Sequence, residues 1–322
     1  MRRKIVAFKI GYKKVYKSLK LDKTKYIICV VGPTAIGKTA LGIKLANYFD
    51  TEIISADSRQ FFKEMAIGTA VPSSDELSAA KHHFIQHISI TENYSVGDFE
   101  RDGLELLNKL FKTKDIVVVV GGSGLYVDAL VKGLDYFPEV SPSIREELNQ
   151  KAIEELQVLL LEKDPDYYNK VDINNPHRLV RALEICIGTG KTYSSFLNTG
   201  NGSRNFKSIY VGLEADREVI YDRINRRVDI MVDSGLLHEV EQLNDYKHLN
   251  ALQTVGYREF FNYLKGDWTL EFAIDEVKKN TRRFAKRQLT WFRRNEKIHW
   301  FNYDMTIDRI KNKIDTLIKT SK

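Results

Sequence analysis

A glycine-rich segment near the N-terminus most constrains the fold of this chain. Residues 30–46 are VVGPTAIGKTALGIKLA, in which Gly32, Gly37, Lys38 and Thr39 fit the pattern G-x-x-x-x-G-K-[ST]. A β-rich apolar run precedes the segment, and residues at helical spacing follow it. In this context the backbone N–H groups of the loop and the N-terminus of the helix surround a phosphate. The segment therefore predicts a phosphate-binding loop between a strand and a helix.

The rest of the sequence predicts the class of fold. Apolar runs at 26–31, 51–57, 115–122 and 208–216 alternate with segments of helical periodicity, and KIHWFN is a probable last strand before an amphipathic end helix. Strands that are buried on both faces and alternate with helices are typical of a parallel, doubly wound sheet. We expect an α/β fold, with a P-loop NTPase-like parallel sheet sandwiched by helices.

One long segment does not fit a simple crossover between strands. About 70 residues before the strand at 208–216 have an almost wholly helical pattern, which is too long for such a connection. Pro138 and Pro142 mark its entry, and glycine and asparagine residues at 200–202 mark its exit. We expect an inserted all-helical domain. The predicted domains are a basic N-terminal arm at 1–24, a P-loop core at 25–137 plus 206–322, and a helical insertion at 138–205.

Composition limits the cellular setting and the partners. The net charge of +7 is compatible with a polyanionic partner. Cys29 and Cys186 are the only cysteines, and their spacing suits neither a disulfide framework nor a zinc site, so we expect a reducing cytoplasm. No apolar run approaches the roughly 18 residues of a membrane span, so no membrane is expected as a partner. The basic N-terminus lacks a cleavage site and does not predict a signal peptide.

The loop alone does not identify the phosphate compound. Triphosphate hydrolysis usually needs an acid at the end of a second strand, together with a residue that positions water. The strand DIVVVV ends instead in GGSGLY, and Asp115 lies at its opposite end. An ATP-driven motor is therefore disfavoured. A small-metabolite or nucleoside kinase stays compatible, because Asp57 follows the second strand and could serve as its acid.

Asp57 begins a polar segment at the carboxyl end of a strand, where open α/β sheets bind ligands. Ser58, Arg59 and Gln60 follow it. A carboxylate and an amide can together hydrogen-bond the edge of a nucleobase. Alternatively, Asp57 is the N-cap of a helix that begins SRQFFKEM. The residues alone do not decide between these two interpretations.

Ordered motifs over about 26–302 resemble the tRNA dimethylallyltransferases, also called tRNA isopentenyltransferases. The motifs are GPTAIGKT (32–39), DSRQ (57–60), MAIGTA (65–70), YSVGDFERD (94–102), GGSGLY (121–126), NPHRLVRALEI (175–185), VGYRE (255–259) and TRRFAKRQLTWFRR (281–294). The chain ends without the zinc finger that some eukaryotic relatives append, so the bacterial type is expected. The resemblance implies a Mg²⁺-dependent transfer of the prenyl group of dimethylallyl diphosphate to N6 of the adenosine on the 3′ side of the anticodon. Its implied partner is the tRNA anticodon stem-loop, and we expect a monomer.

The resemblance also implies roles for individual residues. Asp57 would act as general base towards N6, and Ser123 would supply a hydroxyl that is usually a threonine's. Donor-binding residues would be Gly32, Pro33, Thr34, Ala35, Ile36, Gly37, Lys38, Thr39 and Arg258, with Thr39 also facing Mg²⁺. Residues that contact tRNA would be Asp57, Ser58, Arg59, Gln60, Ser123, Arg145, His177, Arg178 and Arg181. For each arginine taken alone, a solvated helix face is the commoner role.

Four positions depart from the family pattern. Phe62 stands where tyrosine is usual, Ala66 where an acid is usual and Val71 where lysine is usual. His177 stands where glutamine is frequent. The loss of the acid and the lysine removes a charge pair near the site, which affects the expected RNA contacts there but not the class of reaction.

Two further segments attract attention. Residues 278–297 carry nine basic side chains against a single acid, with aromatic residues interleaved, so that one face could pack while the other follows an RNA backbone. A merely solvated helix is the alternative. The histidines of KHHFIQH lack a carboxylate or cysteine partner, so we expect no zinc there. A non-catalytic RNA-binding protein is a further rival, but the intact Lys38 and Thr39 pair argues against it.

Overall fold

The computed structural model of the chain describes residues 24–198 and 203–320. The predicted arm at 1–24, apart from Thr24, and the exit residues 200–202 lie outside the described residues. The chain divides into two compact units, one formed by Met1–Val131 with Arg204–Lys322 and the other by Lys132–Ser203.

The described part of the first unit contains a six-stranded sheet. Its strands are β1 (Lys25–Val31), β2 (Ile53–Ser55), β3 (His82–His83), β4 (Ile116–Val120), β5 (Phe206–Glu214) and β6 (Ile298–Asn302). Their order is β3-β2-β4-β1-β5-β6, and every neighbouring pair is parallel. The prediction of a parallel α/β sheet is confirmed.

Helices cover the sheet and form the second unit. In chain order they are α1 (Lys38–Tyr48), α2 (Ser74–Ala79), α3 (Val96–Leu110), α4 (Gly124–Lys132), α5 (Pro142–Asn149), α6 (Ile153–Lys163), α7 (Pro165–Tyr168), α8 (Pro176–Thr189), α9 (Arg217–Asp233), α10 (Leu236–Gln242), α11 (Tyr257–Leu264), α12 (Leu270–Phe292) and α13 (Ile307–Thr320). Short 3₁₀ turns lie at Tyr193–Phe196, Asn244–Tyr246 and Asn250–Leu252. None of the described helices is long and apolar enough to cross a membrane.

The middle parts of the central strands are apolar because helices cover both faces of the sheet. Ile28 of β1 pairs with Val118 of β4 on one side and with Ile209 of β5 on the other. Alternate residues of β1 contribute to separate apolar cores on the two faces of the sheet. Burial raises the pKa of the Cys29 thiol, so this residue packs as a small hydrophobe rather than as a reactive group.

The start of the sheet differs from the sequence prediction. The expected strand at 51–57 is reduced to Ile53–Ser55, because the chain turns away before Asp57. Beyond it, His82–His83 adds an edge strand that pairs with β2, although the sequence suggested no strand there. Two residues are too few to show the alternation that identifies a strand.

The described part of the second unit is entirely helical and has an apolar core of its own. Leu156 and Leu160 of α6 are buried together with Leu179 and Leu183 of α8. Asn175 caps α8 by accepting a hydrogen bond from the N–H of Arg178, and proline at the first helical position suits a helix start. This unit begins before the expected residue 138, because α4 ends at Lys132 and the chain leaves the core there.

Candidate active site

The glycine loop joins β1 to α1, as its sequence predicts. Gly32 has φ of 143°, and a Cβ there would lie 2.5 Å from the carbonyl oxygen of Leu213 on β5. Gly37, with φ of 108°, directly precedes α1. Both glycines are therefore required by the backbone, the first by close approach and the second by its left-handed conformation. Ala35 also has positive φ, at 63°, which is strained for a residue with a side chain.

Side chains from two distant helices hold this strained loop in place. The Gln288 amide oxygen accepts a hydrogen bond of 2.8 Å from the N–H of Thr34. On α9, Arg223 Nε donates to the carbonyl oxygen of Ala35 at 2.8 Å, and Arg227 donates to the Thr34 hydroxyl at 3.4 Å. These hydrogen bonds tie the phosphate loop to α9 and α12.

Lys38 begins α1 and points its ammonium back along the loop. Its Nζ donates to the carbonyl oxygen of Pro33 at 2.7 Å. Burial lowers the pKa of Lys38 to about 8, Asp57 opposes this shift, and Arg227 adds to it. A phosphate anion bound in the loop would relieve the cost of holding this charge out of water.

Asp57 follows β2 and borders a cavity of about 440 Å³. Its Oδ1 accepts a hydrogen bond from the N–H of Arg59 at 3.2 Å. Burial raises the pKa of the Asp57 carboxyl above its usual range, and the Arg59 N–H and the positive charge of Lys38 offset only part of that shift. The carboxylate is thus moved towards the range in which a general base works near neutral pH.

Ser123 lies on the same cavity, in the turn that follows β4. Its Oγ accepts a hydrogen bond from the N–H of Ser58 at 3.2 Å and lies 3.2 Å from the Ser58 hydroxyl oxygen. These contacts join the turns after β2 and β4, so the residue types expected to carry the chemistry are brought together at one edge of the sheet.

The cavity is polar near the loop and apolar elsewhere. Arg227 and Arg258 border it, the charge of Arg227 acts on Asp57, and Arg258 is exposed. The apolar part of its wall consists of Val228, Met231, Leu236, Val255, Val277 and Phe284. Val228, Leu236 and Val277 are buried, which gives a site suited to a charged group joined to a short hydrocarbon.

Gln60 and Arg59 are engaged with the protein itself. Gln60 Nε2 donates to the carbonyl oxygens of Thr69 and Ala70 at 3.2 and 2.9 Å, and its amide oxygen accepts from the Ser55 hydroxyl. Arg59 donates to backbone carbonyls in the 3₁₀ turn at Asn250–Leu252. In this structure both side chains support the cavity walls, and their expected contacts with tRNA stay predictions.

On the second unit, two of the predicted tRNA-binding arginines form an ion-pair network. Arg145 makes a bidentate contact with the buried Glu184, at 2.5 and 2.6 Å, and Arg181 also binds this carboxylate. Burial alone would raise the pKa of Glu184, but hydrogen bonds from the two arginines outweigh it and lower the pKa. His177 and Arg178 are exposed at the start of α8.

The positions that depart from the family pattern are accommodated locally. Phe62 is buried and forms a bridge to Ile88. The N–H of Val71 donates to the carbonyl oxygen of Ala66 at 3.1 Å, so a backbone contact joins the two positions where a charge pair was expected.

Sequence reasoning missed the residues that support the loop. Arg223 and Arg227 are four residues apart on α9, a spacing that places them on one helix face and could have indicated a shared site. Gln288 gave only the weak signal of an uncharged residue within a basic run. On the same helix, Phe284 and Trp291 are more than a third exposed and border the cavity.

A divalent cation would depend largely on the bound phosphate. Over residues 24–198 and 203–320 the structure contains no group of three His, Cys, Asp or Glu residues that could hold a metal ion. Thr39 is the second residue of α1 and offers a hydroxyl beside the loop. One protein hydroxyl, completed by phosphate oxygens and water, suits Mg²⁺, which keeps several waters and is seldom fully enclosed by protein.

Comparison with known proteins identifies the family of the chain. The sequence model of the family described as IPP transferase matches residues 60–295. Two similar proteins are the tRNA dimethylallyltransferases of Flavobacterium johnsoniae, 57% identical over 92% of this chain and 99% of the relative, and of Christiangramia forsetii, 59% identical over 92% and 100%.

Solved structures give the same result. A tRNA isopentenylpyrophosphate transferase from Bacillus halodurans has a TM-score of 0.70 and 36% identity, over 92% of this chain and 97% of that chain. A eukaryotic dimethylallyltransferase described as acting on tRNA has a TM-score of 0.77 and 28% identity, over 87% of this chain and 74% of that chain.

Proposed function

The chain belongs to the IPP transferase family and transfers a prenyl group to tRNA, and we propose that it moves the dimethylallyl group of dimethylallyl diphosphate to N6 of the adenosine on the 3′ side of the anticodon. The observation that carries the proposal is the joint placement of a phosphate loop, a carboxylate and an apolar wall around one cavity. The kinase alternative is not supported by these relatives.

The donor would be bound at both of its ends. The loop N–H groups and the Lys38 ammonium receive the diphosphate, and Arg258, which also borders the cavity, pairs with it. The hydrocarbon lies against Val228, Leu236 and Val277, where its burial is favourable. When bound, Mg²⁺ supplies further neutralisation of the diphosphate charge, and Thr39 is the residue that would contact it.

The transfer exchanges one bond for another. The N6 nitrogen attacks the prenyl carbon that carries the diphosphate. A C–N bond forms at this carbon, and its C–O bond to diphosphate breaks. The diphosphate leaves with the bonding electrons, and Lys38 stabilises the charge that develops on it. Asp57 accepts the proton that N6 loses. No water has to be positioned for attack, so the site needs no residue with that role.

tRNA binding draws on basic side chains outside the cavity. Helix α12 carries six of the nine basic residues of 278–297, and its buried residues Ala285, Gln288 and Phe292 leave a basic face exposed. His177 and Arg178 offer exposed donors at the N-terminus of α8, where a phosphate is also favoured. The target adenine must leave its stack to reach Asp57. Action on tRNA in the cytoplasm is part of the same proposal.

A single assay tests the function. The protein is incubated with unmodified tRNA, Mg²⁺ and dimethylallyl diphosphate labelled in the prenyl group, and the nucleosides are then separated. Label on the adenosine next to the anticodon is expected, and a tRNA with guanosine at that position is the matched control. Absence of label from RNA, or phosphoryl transfer from ATP to a small hydroxylated compound, would contradict the proposal.

A further inference from the structure

Glu239 on α10 binds a backbone loop with its carboxylate. Three consecutive N–H groups donate to it, those of Ala66 at 3.0 Å, Ile67 at 2.8 Å and Gly68 at 2.9 Å. The Tyr257 hydroxyl donates at 2.6 Å, and burial together with the Glu239 charge raises the pKa of this tyrosine, which keeps it protonated as a donor. Successive N–H groups directed at one anion form a strong, charge-assisted site.

The bound segment is part of the cavity wall. It belongs to the MAIGTA motif at 65–70, and Gly68, Thr69 and Ala70 border the cavity. A Cβ at Gly68 would lie 2.6 Å from the ring of Tyr257, so only glycine fits there. Ala70 has φ of 50°, a conformation that persists only when its surroundings fix it.

Hydrogen bonds connect this wall to the proposed base. Gln60 holds the carbonyl oxygens of Thr69 and Ala70 through its amide nitrogen. The backbone N–H of Gln60 donates to the carbonyl oxygen of Asp57 at 3.1 Å. A continuous chain of hydrogen bonds therefore runs from Glu239 through the loop to the turn that carries Asp57.

We propose that Glu239 is a positioning residue for prenyl transfer, which fixes the cavity loop and, through Gln60, the turn of Asp57. This inference rests on the proposed function. The role requires the negative charge, because a glutamine side chain would turn N–H donors of its own towards the three backbone donors. Release of the loop would displace the side of the cavity that carries Asp57, where the adenosine is proposed to bind. The phosphate loop, held separately by Gln288, Arg223 and Arg227, would stay in place.

Steady-state kinetics with labelled dimethylallyl diphosphate and unmodified tRNA test the proposal on the full chain. The variants are Glu239→Gln and Glu239→Asp, which keeps the charge on a shorter side chain. Glu100→Gln is the control, because it breaks a half-buried ion pair with Arg204 that lies outside the cavity lining. Thermal unfolding of each variant gives its loss of stability. If the wild-type protein itself transfers no prenyl group, the proposed function fails rather than this inference.

We expect kcat of Glu239→Gln to fall by about 10- to 100-fold, since a displacement of about 1 Å at a reacting group can cost about 100-fold. The KM for dimethylallyl diphosphate should stay within about twofold of wild type, because the phosphate loop is unchanged. Glu239→Asp keeps the charge but withdraws the carboxylate by one methylene from the three N–H groups, so its kcat should lie between those of Glu239→Gln and the wild type. Glu100→Gln should keep the wild-type kcat at a similar loss of Tm.

Two outcomes would overturn the proposal. One is a wild-type kcat in Glu239→Gln or, if that variant does not fold, in Glu239→Asp. The other is a loss of kcat in Glu100→Gln that equals the loss in the Glu239 variant at the same Tm, since the effect would then reflect stability alone.

Discussion

Asp57 combines the features of a general base, a carboxylate on the cavity wall with a pKa that burial raises. The variant Asp57→Asn keeps the shape and the hydrogen bond from Arg59 but cannot accept a proton. We expect kcat to fall by about 10²- to 10⁴-fold, the usual contribution of acid–base catalysis. The affinity of Asp57→Asn for tRNA should stay close to that of the wild type, and the same is expected of Asp57→Ala. Single-turnover prenyl transfer and filter binding measure the two quantities, and normal turnover of either variant would refute the assignment.

Lys38 gives the site a pH dependence with a defined direction. Its pKa is lowered to about 8, so the free enzyme loses this positive charge as pH rises through that value. Because kcat/KM reports the free enzyme, we expect kcat/KM for dimethylallyl diphosphate to fall above about pH 8. Because Lys38→Arg stays charged, its kcat/KM should not fall above this pH, although its absolute value should be lower than that of the wild type. A wild-type profile that is flat well past this pH would contradict the assignment.

At the scale of residues, the sequence predicted a position in the site only for residues that belong to a local motif or directly follow a strand. The glycine loop, Asp57 and Ser123 follow strands directly, and parallel strands bring such positions to one edge. It could not predict that Gln60 and Arg145 would be engaged within the protein, because the fold of the loop at Thr69 and Ala70 and the position of Glu184 on another helix are not visible in the sequence. Glu239 and Gln288 act on segments more than 150 residues away in the chain.

Helix α12 supports the site through one buried residue. Gln288 accepts from the N–H of Thr34 and donates to the carbonyl oxygen of Gly122 at 3.0 Å, so it ties the phosphate loop to the turn after β4. Gln288→Leu leaves both backbone groups without this partner. We expect a loss of about 1–3 kcal/mol in the free energy of unfolding and a higher KM for the donor.

Denaturant unfolding and initial rates measure these effects. Gln242→Leu, at an exposed position of α10, is the matched control and should leave both values near wild type. Wild-type stability in Gln288→Leu would show that the two hydrogen bonds contribute little.

The segment around β3 makes stability depend on pH. The His87 ring meets Phe61, Phe84 and Tyr94 edge-on, and its buried nitrogens have no hydrogen-bond partner among the described residues. Burial lowers the pKa of His87 below 6.5. The unfolded chain therefore binds this proton at a higher pH than the folded protein does, so stability falls as pH drops below about 6.5.

We expect Tm to decrease across that window and to decrease less in His87→Phe, as measured by thermal unfolding at several pH values. Part of the decrease in Tm should remain in His87→Phe, because burial also lowers the pKa of His82 and His299. An equal decrease in wild type and variant would exclude His87 as a cause.

Elements were predicted well where they are long and strongly apolar. The runs at 26–31 and 208–216 contain β1 and most of β5, because a strand covered on both faces needs an uninterrupted apolar sequence. Short elements such as β3 depend on pairing with a neighbour, which the sequence alone does not reveal.

For the whole molecule, the positive charge should govern binding of tRNA. Log affinity should fall linearly with log salt concentration, because phosphate contacts release counterions. Arg178→Ala is expected to reduce this slope by about 1 if Arg178 contacts a phosphate. Lys319→Ala, an exposed charge at the end of α13, is the charge-matched control and should keep the wild-type slope. If the wild type, Arg178→Ala and Lys319→Ala gave equal slopes, Arg178 would make no phosphate contact with tRNA.

The division into a sheet-containing unit and a helical unit was anticipated because a crossover of that length has no place in a compact sheet. The limit at Lys132 coincides with Gly133, which has φ of 90° and follows the end of α4, whereas the prolines used as the sequence signal lie several residues later.

The position of β1 between β4 and β5, with the Leu213 carbonyl against Gly32, has a consequence for biosynthesis. The phosphate loop is translated long before β5, so β1 can pair with β4 early but lacks its second neighbouring strand until everything up to Glu214 has left the ribosome. The helical unit is translated in full before then. Assembly of the catalytic sheet is therefore a late event in translation.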